Sequence, residues 1–208
     1  GGAVWTCQRG GLTARTGLAL ARLGSGELRR AELHWDGEGV LEGELLCYLE
    51  PVLCGERDHL AHPAFSKLFV ESRAIPGGVS FRRRPRGAEE HPVLAALWDG
   101  EGSTFTTSRQ AALGRGGLRA LAGGGPGPLK GETGAVLDPC LMVRLPVRLR
   151  PGESCALRLA LGVSDRLDAA ADTAQRLLEG REEPGGMLAP IAQRLGLDQV
   201  QALGGFAL

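Results

Sequence analysis

What is scarce in this chain narrows it first. In 208 residues there is no run of about 18 apolar positions, so no segment reads as a membrane-spanning helix. No C-x-x-C pair occurs among Cys7, Cys47, Cys54, Cys140 and Cys155, and no histidine pattern completes a zinc site. No G-x-S-x-G elbow is present, which removes one familiar nucleophilic-serine arrangement. Charge of one sign is not in excess: 24 Lys and Arg balance 24 Asp and Glu. A broad electrostatic footprint for nucleic acid or an anionic membrane is therefore excluded. Phosphate-binding signatures also fail. Lys130 precedes Gly131, and Glu132 sits where a P-loop needs a hydroxyl. Gly114-Arg115-Gly116-Gly117 lacks the spacing and βαβ context of a dinucleotide fingerprint. Aromatic residues are few, with three Trp, five Phe and one Tyr.

Glycine, by contrast, is abundant at 33 residues, as many tight turns in an all-β domain require. An apolar fraction of 43% fits a globular chain rather than a disordered one. The odd number of cysteines, most among apolar neighbours, reads as buried free thiols in a reducing cytoplasm. The chain starts with Gly1-Gly2 and not Met, so the true N-terminus is expected upstream.

Residues 1–38 carry a weak pattern, with Thr16 to Leu23 as one candidate strand. From Leu41 the alternation sharpens. Leu41, Gly43, Leu45, Cys47 and Leu49 share one face until Pro51 ends the strand. Ser66 to Ser72 and Val79 to Arg84 read as strands joined at Ile75-Pro76-Gly77-Gly78. Val93 to Trp98 and Thr104 to Thr107 read as a second pair, and residues 114–134 as loop. Leu141 to Leu149 and Cys155 to Val163 read as a hairpin about Pro151-Gly152. Pro146 within it calls for an edge or a bulge. Ser164 or Asp165 is expected to cap a helix with the stripe Leu167, Ala170, Ala171, Ala174, Leu177 and Leu178, ended by Gly180. A further helical stretch is expected from Met187 to Leu195.

Several groups invite chemistry. Asp58, His59 and His62 lie close together, but Pro63 favours an extended chain at His62 over a shared helical metal site. A hydrogen bond from His62 that orders a loop is the expectation, with no metal. Arg82, Arg83, Arg84 and Arg86 read as a solvated face paired with Glu89 and Glu90. Trp5, Trp35, Trp98 and Tyr48 are sugar-stacking candidates, though such residues more often pack in strands. Inverting glycosyl transfer needs a general acid opposite a nucleophile, and no carboxylate pair stands out for it.

An ordered series of motifs carries a resemblance. His62-Pro63-Ala64-Phe65-Ser66-Lys67-Leu68-Phe69 resembles the H-P-A-F-x-K-L-F stretch of the sandwich domain of glycoside hydrolase family 94. In the same order, Leu49-Glu50-Pro51, Arg82-Arg83-Arg84-Pro85-Arg86, Thr107-Ser108-Arg109 with Leu113-Gly114-Arg115-Gly116, Thr133 to Pro139 and Leu149 to Ser154 resemble other family stretches. The series covers about residues 41–180 and looks closest to the β-1,2-glucan branch. It implies a mainly β fold: a large antiparallel β-sandwich (super-sandwich) over residues 1–163, with its N-terminal part truncated. A helical linker over 164–208 would lead to an (α/α)6 barrel outside this sequence.

Family members of this type include cellobiose phosphorylase, oligo-β-1,2-glucan phosphorylase and cyclic β-1,2-glucan synthase, and the barrel carries their general acid and phosphate site. The implied role is a non-catalytic domain shaping the carbohydrate site. No catalytic residue and no cofactor carry over, inorganic phosphate being co-substrate of the parent enzyme. The implied partners are a β-linked glucan or oligosaccharide, the catalytic barrel of the same polypeptide and, in some members, a homodimer mate, but no nucleic acid. A cytoplasmic location is implied, or a membrane-bound parent for a cyclic glucan synthase. His62, Phe65, Lys67, Arg109 and Arg115 lie on the matching motifs and are the candidate substrate-binding residues. A stand-alone carbohydrate-binding module and a structural scaffold are the alternatives.

Overall fold

Period-two alternation turns most of the chain into strands. The computed structural model describes residues 2–21, 25–85, 92–123, 127–181 and 184–185. Within them run β1 (Gly2–Arg9), β2 (Leu12–Ala21), β3 (Ser25–Trp35), β4 (Leu41–Leu49), α1 (Glu56–Ala61) and α2 (Pro63–Lys67). Then come β5 (Val70–Ile75), β6 (Gly78–Arg83), β7 (Val93–Asp99), β8 (Thr104–Ser108) and α3 (Arg109–Leu113). A 3-10 segment (Gly114–Gly123), β9 (Pro139–Leu149), β10 (Glu153–Ser164), α4 (Leu167–Leu178) and a two-residue β11 (Pro184–Gly185) follow.

The strands form two antiparallel sheets. The large one has the order β1-β2-β3-β10-β7-β6-β5, with β11 beside β2, and the small one β4-β9-β8. Between them Val70, Phe81, Leu141, Val143, Leu157 and Leu159 pack at 2% exposure or less. Each such side chain contributes on the order of 1.5–3 kcal/mol by leaving water. The mainly β sandwich read from the sequence is what forms. α4 covers the far side of the large sheet, where Ala170, Ala174 and Leu177 pack with Leu97 and Ala160. Among the described residues, no helix is long and apolar enough to cross a membrane.

Several expectations change. The β9 and β10 stretches are not a hairpin: β9 pairs with β4 and β8, and β10 with β3 and β7. Their apolar faces meet across the core, so the turn at Gly152 (φ +84°) carries the chain from one sheet to the other. β7 and β8 likewise belong to different sheets. Ser66 lies in α2, not in a strand, because Pro63 opens a helical turn closed by Ser66 Oγ donating to Pro63 O (2.9 Å). Residues 114–123 wind as 3-10 turns rather than loop. Residues 2–35 hold three long strands.

The N-cap of α4 is Arg166, without a side-chain cap; Ser164 ends β10 and its hydroxyl donates to Asp165. Gly180 (φ +68°) ends α4 as expected, with Gly180 N–H donating to Leu177 O and Arg181 N–H to Arg176 O. Pro146 is exposed and lies past the last β8 pair, Thr104 with Arg144, where β9 has become a local edge. Arg82 and Arg84 pair with Glu71, while Glu89 and Glu90 fall outside the described residues. So do residues 187–195.

Candidate functional site

Four element ends converge at one end of the sandwich. Glu50 follows β4, where Pro51 stops the ladder. Lys67 closes α2. Arg109 opens α3, whose N-cap Ser108 accepts from Ala111 N–H (3.4 Å). Asp138 precedes β9, and its carbonyl accepts from Arg109 N–H (3.0 Å).

Their side chains form a closed network. Lys67 Nζ contacts Glu50 and lies 3.3 Å from Asp138 Oδ1. Arg109 Nε donates to Glu50 Oε1 (3.2 Å), and its Nη1 lies 3.5 Å from Asp138 Oδ2. Tyr48 donates its hydroxyl to Glu50 Oε1 (2.5 Å). Two cations and two carboxylates thus balance.

The electrostatics follow from this. Burial pushes the Glu50 carboxyl up, but hydrogen bonds from Lys67 and Tyr48 and the charges of Lys67 and Arg109 outweigh it and hold Glu50 below its usual range. Burial lowers Lys67, yet Glu50 and Asp138 raise it overall. Burial, then the bond to Glu50, raises the Tyr48 phenol. Beneath, burial first and Glu50 and Asp138 next push the Cys140 thiol up to about 12.

A cleft of about 780 Å³ opens over the network, lined by Glu50, His59, Phe65, Lys67, Leu137 and Asp138 among others. Its apolar wall is exposed, Phe65 at 48% and Leu137 at 81%. Phe65 is braced edge-on by Phe69, with ring centres 5.3 Å apart. A groove of similar size beside α4 gathers no comparable set of charges around one carboxylate. The arrangement suits a polar, uncharged ligand with an apolar face. A bound anion would have to displace carboxylates already seated on Lys67 and Arg109.

Of the five candidates from sequence, Lys67 and Arg109 meet on Glu50 and Asp138, and Phe65 walls the same cleft. His62 is exposed between α1 and α2, where it acts through its backbone: its N–H donates to Asp58 O and its carbonyl accepts from Ser66 N–H. The side chain that orders this turn is His59, whose Nδ1 lies 3.0 Å from Ser66 Oγ. Arg115 is exposed in the 3-10 segment and does not reach the network. Glu50 and Asp138 are not among the candidates read from sequence, although they stand in motifs already noted, Leu49-Glu50-Pro51 and Thr133 to Pro139. Tyr48, read there as a sugar-stacking candidate, turns its hydroxyl to Glu50.

Elsewhere, His34 Nδ1 lies 2.8 Å from Ser154 Oγ and His34 Nε2 lies 2.9 Å from Asp36. With Asp36 65% exposed, water screens the carboxylate that would have to activate such a trio. Trp98 is spent against Phe105. Among the described residues, no three His, Cys, Asp or Glu side chains gather as a metal site.

The family model described as glycosyl hydrolase 94, supersandwich domain, matches residues 1–179. The cyclic beta-(1,2)-glucan synthase NdvB of Rhizobium meliloti (strain 1021) is 31% identical over 158 residues, covering 71% of this chain. The chain spans only 6% of that relative's length. A bacterial glucoamylase complexed with acarbose superposes with a TM-score of 0.50 at 11% identity, over 82% of this chain and 22% of its own, a likeness of fold alone. A putative kojibiose phosphorylase from the human microbiome covers 83% of this chain and 21% of its own at 8% identity, with a TM-score of 0.37, too low to bear on the fold.

Proposed function

Because the chain belongs to the glycosyl hydrolase 94 supersandwich family, we propose that it serves as the non-catalytic sandwich domain of an inverting β-glucan phosphorylase or a cyclic β-1,2-glucan synthase. In this role the cleft of Glu50, Phe65, Lys67 and Asp138 helps wall the carbohydrate site of the parent enzyme. The observation that carries the reading is the self-neutralised network beside an exposed phenyl ring. Sugar hydroxyls can exchange hydrogen bonds with carboxylate, ammonium and guanidinium groups, while a pyranose C–H face rests on Phe65. Phosphate and the general acid belong, on this reading, to a separate barrel domain of the parent enzyme.

Phosphorolysis tests the proposal at two levels. This chain, incubated with β-1,2-gluco-oligosaccharides and inorganic phosphate, should release no glucose 1-phosphate; turnover would refute the non-catalytic role. In the parent enzyme, Lys67→Met should raise KM for the glucan about tenfold, the loss of roughly one charged hydrogen bond, with kcat little changed. Wild-type kinetics would remove the cleft from the carbohydrate site.

A stand-alone binding module is the second reading, and the half-exposed Phe65 favours it. Calorimetry of the chain against soluble glucans decides: affinity lost in Phe65→Ala supports a module, and no binding heat leaves the parent-enzyme role.

A further inference from the structure

Four polar side chains stand in the lining of the cleft at the end of the sandwich: Glu50, His59, Lys67 and Asp138. Three of them are committed to one another and to Arg109. Glu50 meets Lys67 and Arg109, Lys67 bridges Glu50 and Asp138, and Asp138 also faces Arg109. A ligand hydroxyl that joined these groups would share atoms already engaged in ion pairs. His59 differs from them by the placement of one proton.

His59 lies on α1 and Ser66 on α2, and the turn at His62 brings the two together. Ser66 is held from three sides. Its N–H donates to His62 O (2.9 Å), its carbonyl accepts from Arg83 Nη1 (2.5 Å), and its hydroxyl donates to Pro63 O (2.9 Å). It is buried, at 3% exposure. A serine hydroxyl has a single proton, and the Pro63 carbonyl has none to give. With that proton used on Pro63, the 3.0 Å contact between Ser66 Oγ and His59 Nδ1 takes its proton from the ring. Nδ1 is therefore the N–H of the neutral imidazole, and Nε2 is a bare acceptor. No described residue pairs with Nε2, and the half-buried ring lines the cleft. With Nδ1 turned to the buried serine, Nε2 is the ring atom left for a ligand.

We propose that His59 selects the ligand of this cleft: Nε2 accepts a hydrogen bond from a hydroxyl of a glucose unit whose C–H face rests on Phe65. This rests on the carbohydrate reading and adds to it the direction of one hydrogen bond. The ring cannot turn its N–H to the ligand without breaking the bond to Ser66. The group it reads is thus a donor, which a free hydroxyl supplies and a glycosidic or methyl ether oxygen does not.

Kinetics of the parent enzyme separate this role from a merely structural one. An Asn amide can stand where Nδ1 does and keep the bond to Ser66, but it offers nothing at Nε2. A Gln amide reaches the Nε2 position and gives up Ser66. His59→Asn should raise KM for β-1,2-gluco-oligosaccharides about fivefold, the loss of one neutral hydrogen bond, with kcat unchanged and the melting temperature near wild type. His59→Gln should keep KM within about twofold of wild type and lower the melting temperature. The reverse pattern, a silent His59→Asn and a raised KM in His59→Gln, overturns the inference. Lys67→Met is the reference for the cleft itself. If it raises KM and His59→Asn does not, the inference falls and the carbohydrate reading stands; if neither moves KM, both fall. A second measurement needs no variant. In a long-range 1H–15N NMR spectrum of the wild-type chain, the neutral His59 ring should carry its proton on Nδ1, and a proton on Nε2 overturns the inference.

Discussion

Glu50 accepts from Lys67, Arg109 and Tyr48 at once, so its ionised form is bound up with the fold. A carboxyl held below its ordinary value of 4.5 contributes stability that is fully present above that pH and is lost as pH falls through the depressed value. Lys67 has the opposite sign: raised above 10.5, it contributes below that pH and loses the contribution as pH rises through its folded value. The melting temperature of Glu50→Gln should therefore lie below wild type at neutral pH, and the gap should shrink as pH drops below 4.5. Parallel curves across that range would break the assignment. Beneath the network, the Cys140 thiol at about 12 is almost wholly protonated near neutrality and fully buried. Peptide mass spectrometry after iodoacetamide at pH 8 should find Cys140 unmodified in native protein and modified only after unfolding. Rapid native labelling would mean that α3, whose Ala112 and Leu113 pack with Cys140, moves away from it.

At the scale of elements, close approach decides what a strand can carry. α4 rests on β10 at Gly162, where an added Cβ would stand 2.0 Å from Ala170 O and 2.9 Å from Ala174 N. The atoms met belong to helix backbone and cannot rotate away. Gly162→Ala should thus lift α4 and cost about 1–3 kcal/mol, seen as a lower urea midpoint. An unchanged midpoint would show that α4 contributes little to the sheet. At the helix end the obstacle is different. Gly180 has open space around it but φ +68°, so Gly180→Ala should cost about 1 kcal/mol through backbone strain alone. The α2 turn illustrates the same competition between local and sheet bonding. The Ser66 hydroxyl bonds back to Pro63 and the Pro63 ring fixes φ, so the start of a stretch that reads as a strand winds into a helix up to Lys67, and the strand begins only at Val70.

The whole molecule is held by one interior shared between the two sheets, to which β5, β6, β7, β9 and β10 all contribute. Leu159 sits at its centre at 1% exposure, and Leu159→Ala should cost about 2–5 kcal/mol in chemical denaturation. A loss under 1 kcal/mol would mean the sheets close over the gap. Much of this interior was legible beforehand. The faces of β4, β9 and β10, the stop at Pro51, the Gly180 helix end and the family motifs all came from residue order, because side-chain direction in a strand and the demands of Pro and Gly are local. Lys67 and Arg109 could be named in advance, but not the carboxylates that bind them. Glu50, Lys67, Arg109 and Asp138 lie in four separate segments, and only the stacked sheets bring these element ends together. The pairing of β9 shows why. Leu141, Val143 and Leu145 bury equally well whether β9 lies beside β10 or across from it, and its ladder is satisfied by either neighbour. Alternation therefore determined which face of β9 is inside. Which strand lies next to it was decided by a partner about 100 residues away, with Glu44 and Arg144 joined across the β4–β9 pair, and that choice exists only in the tertiary structure.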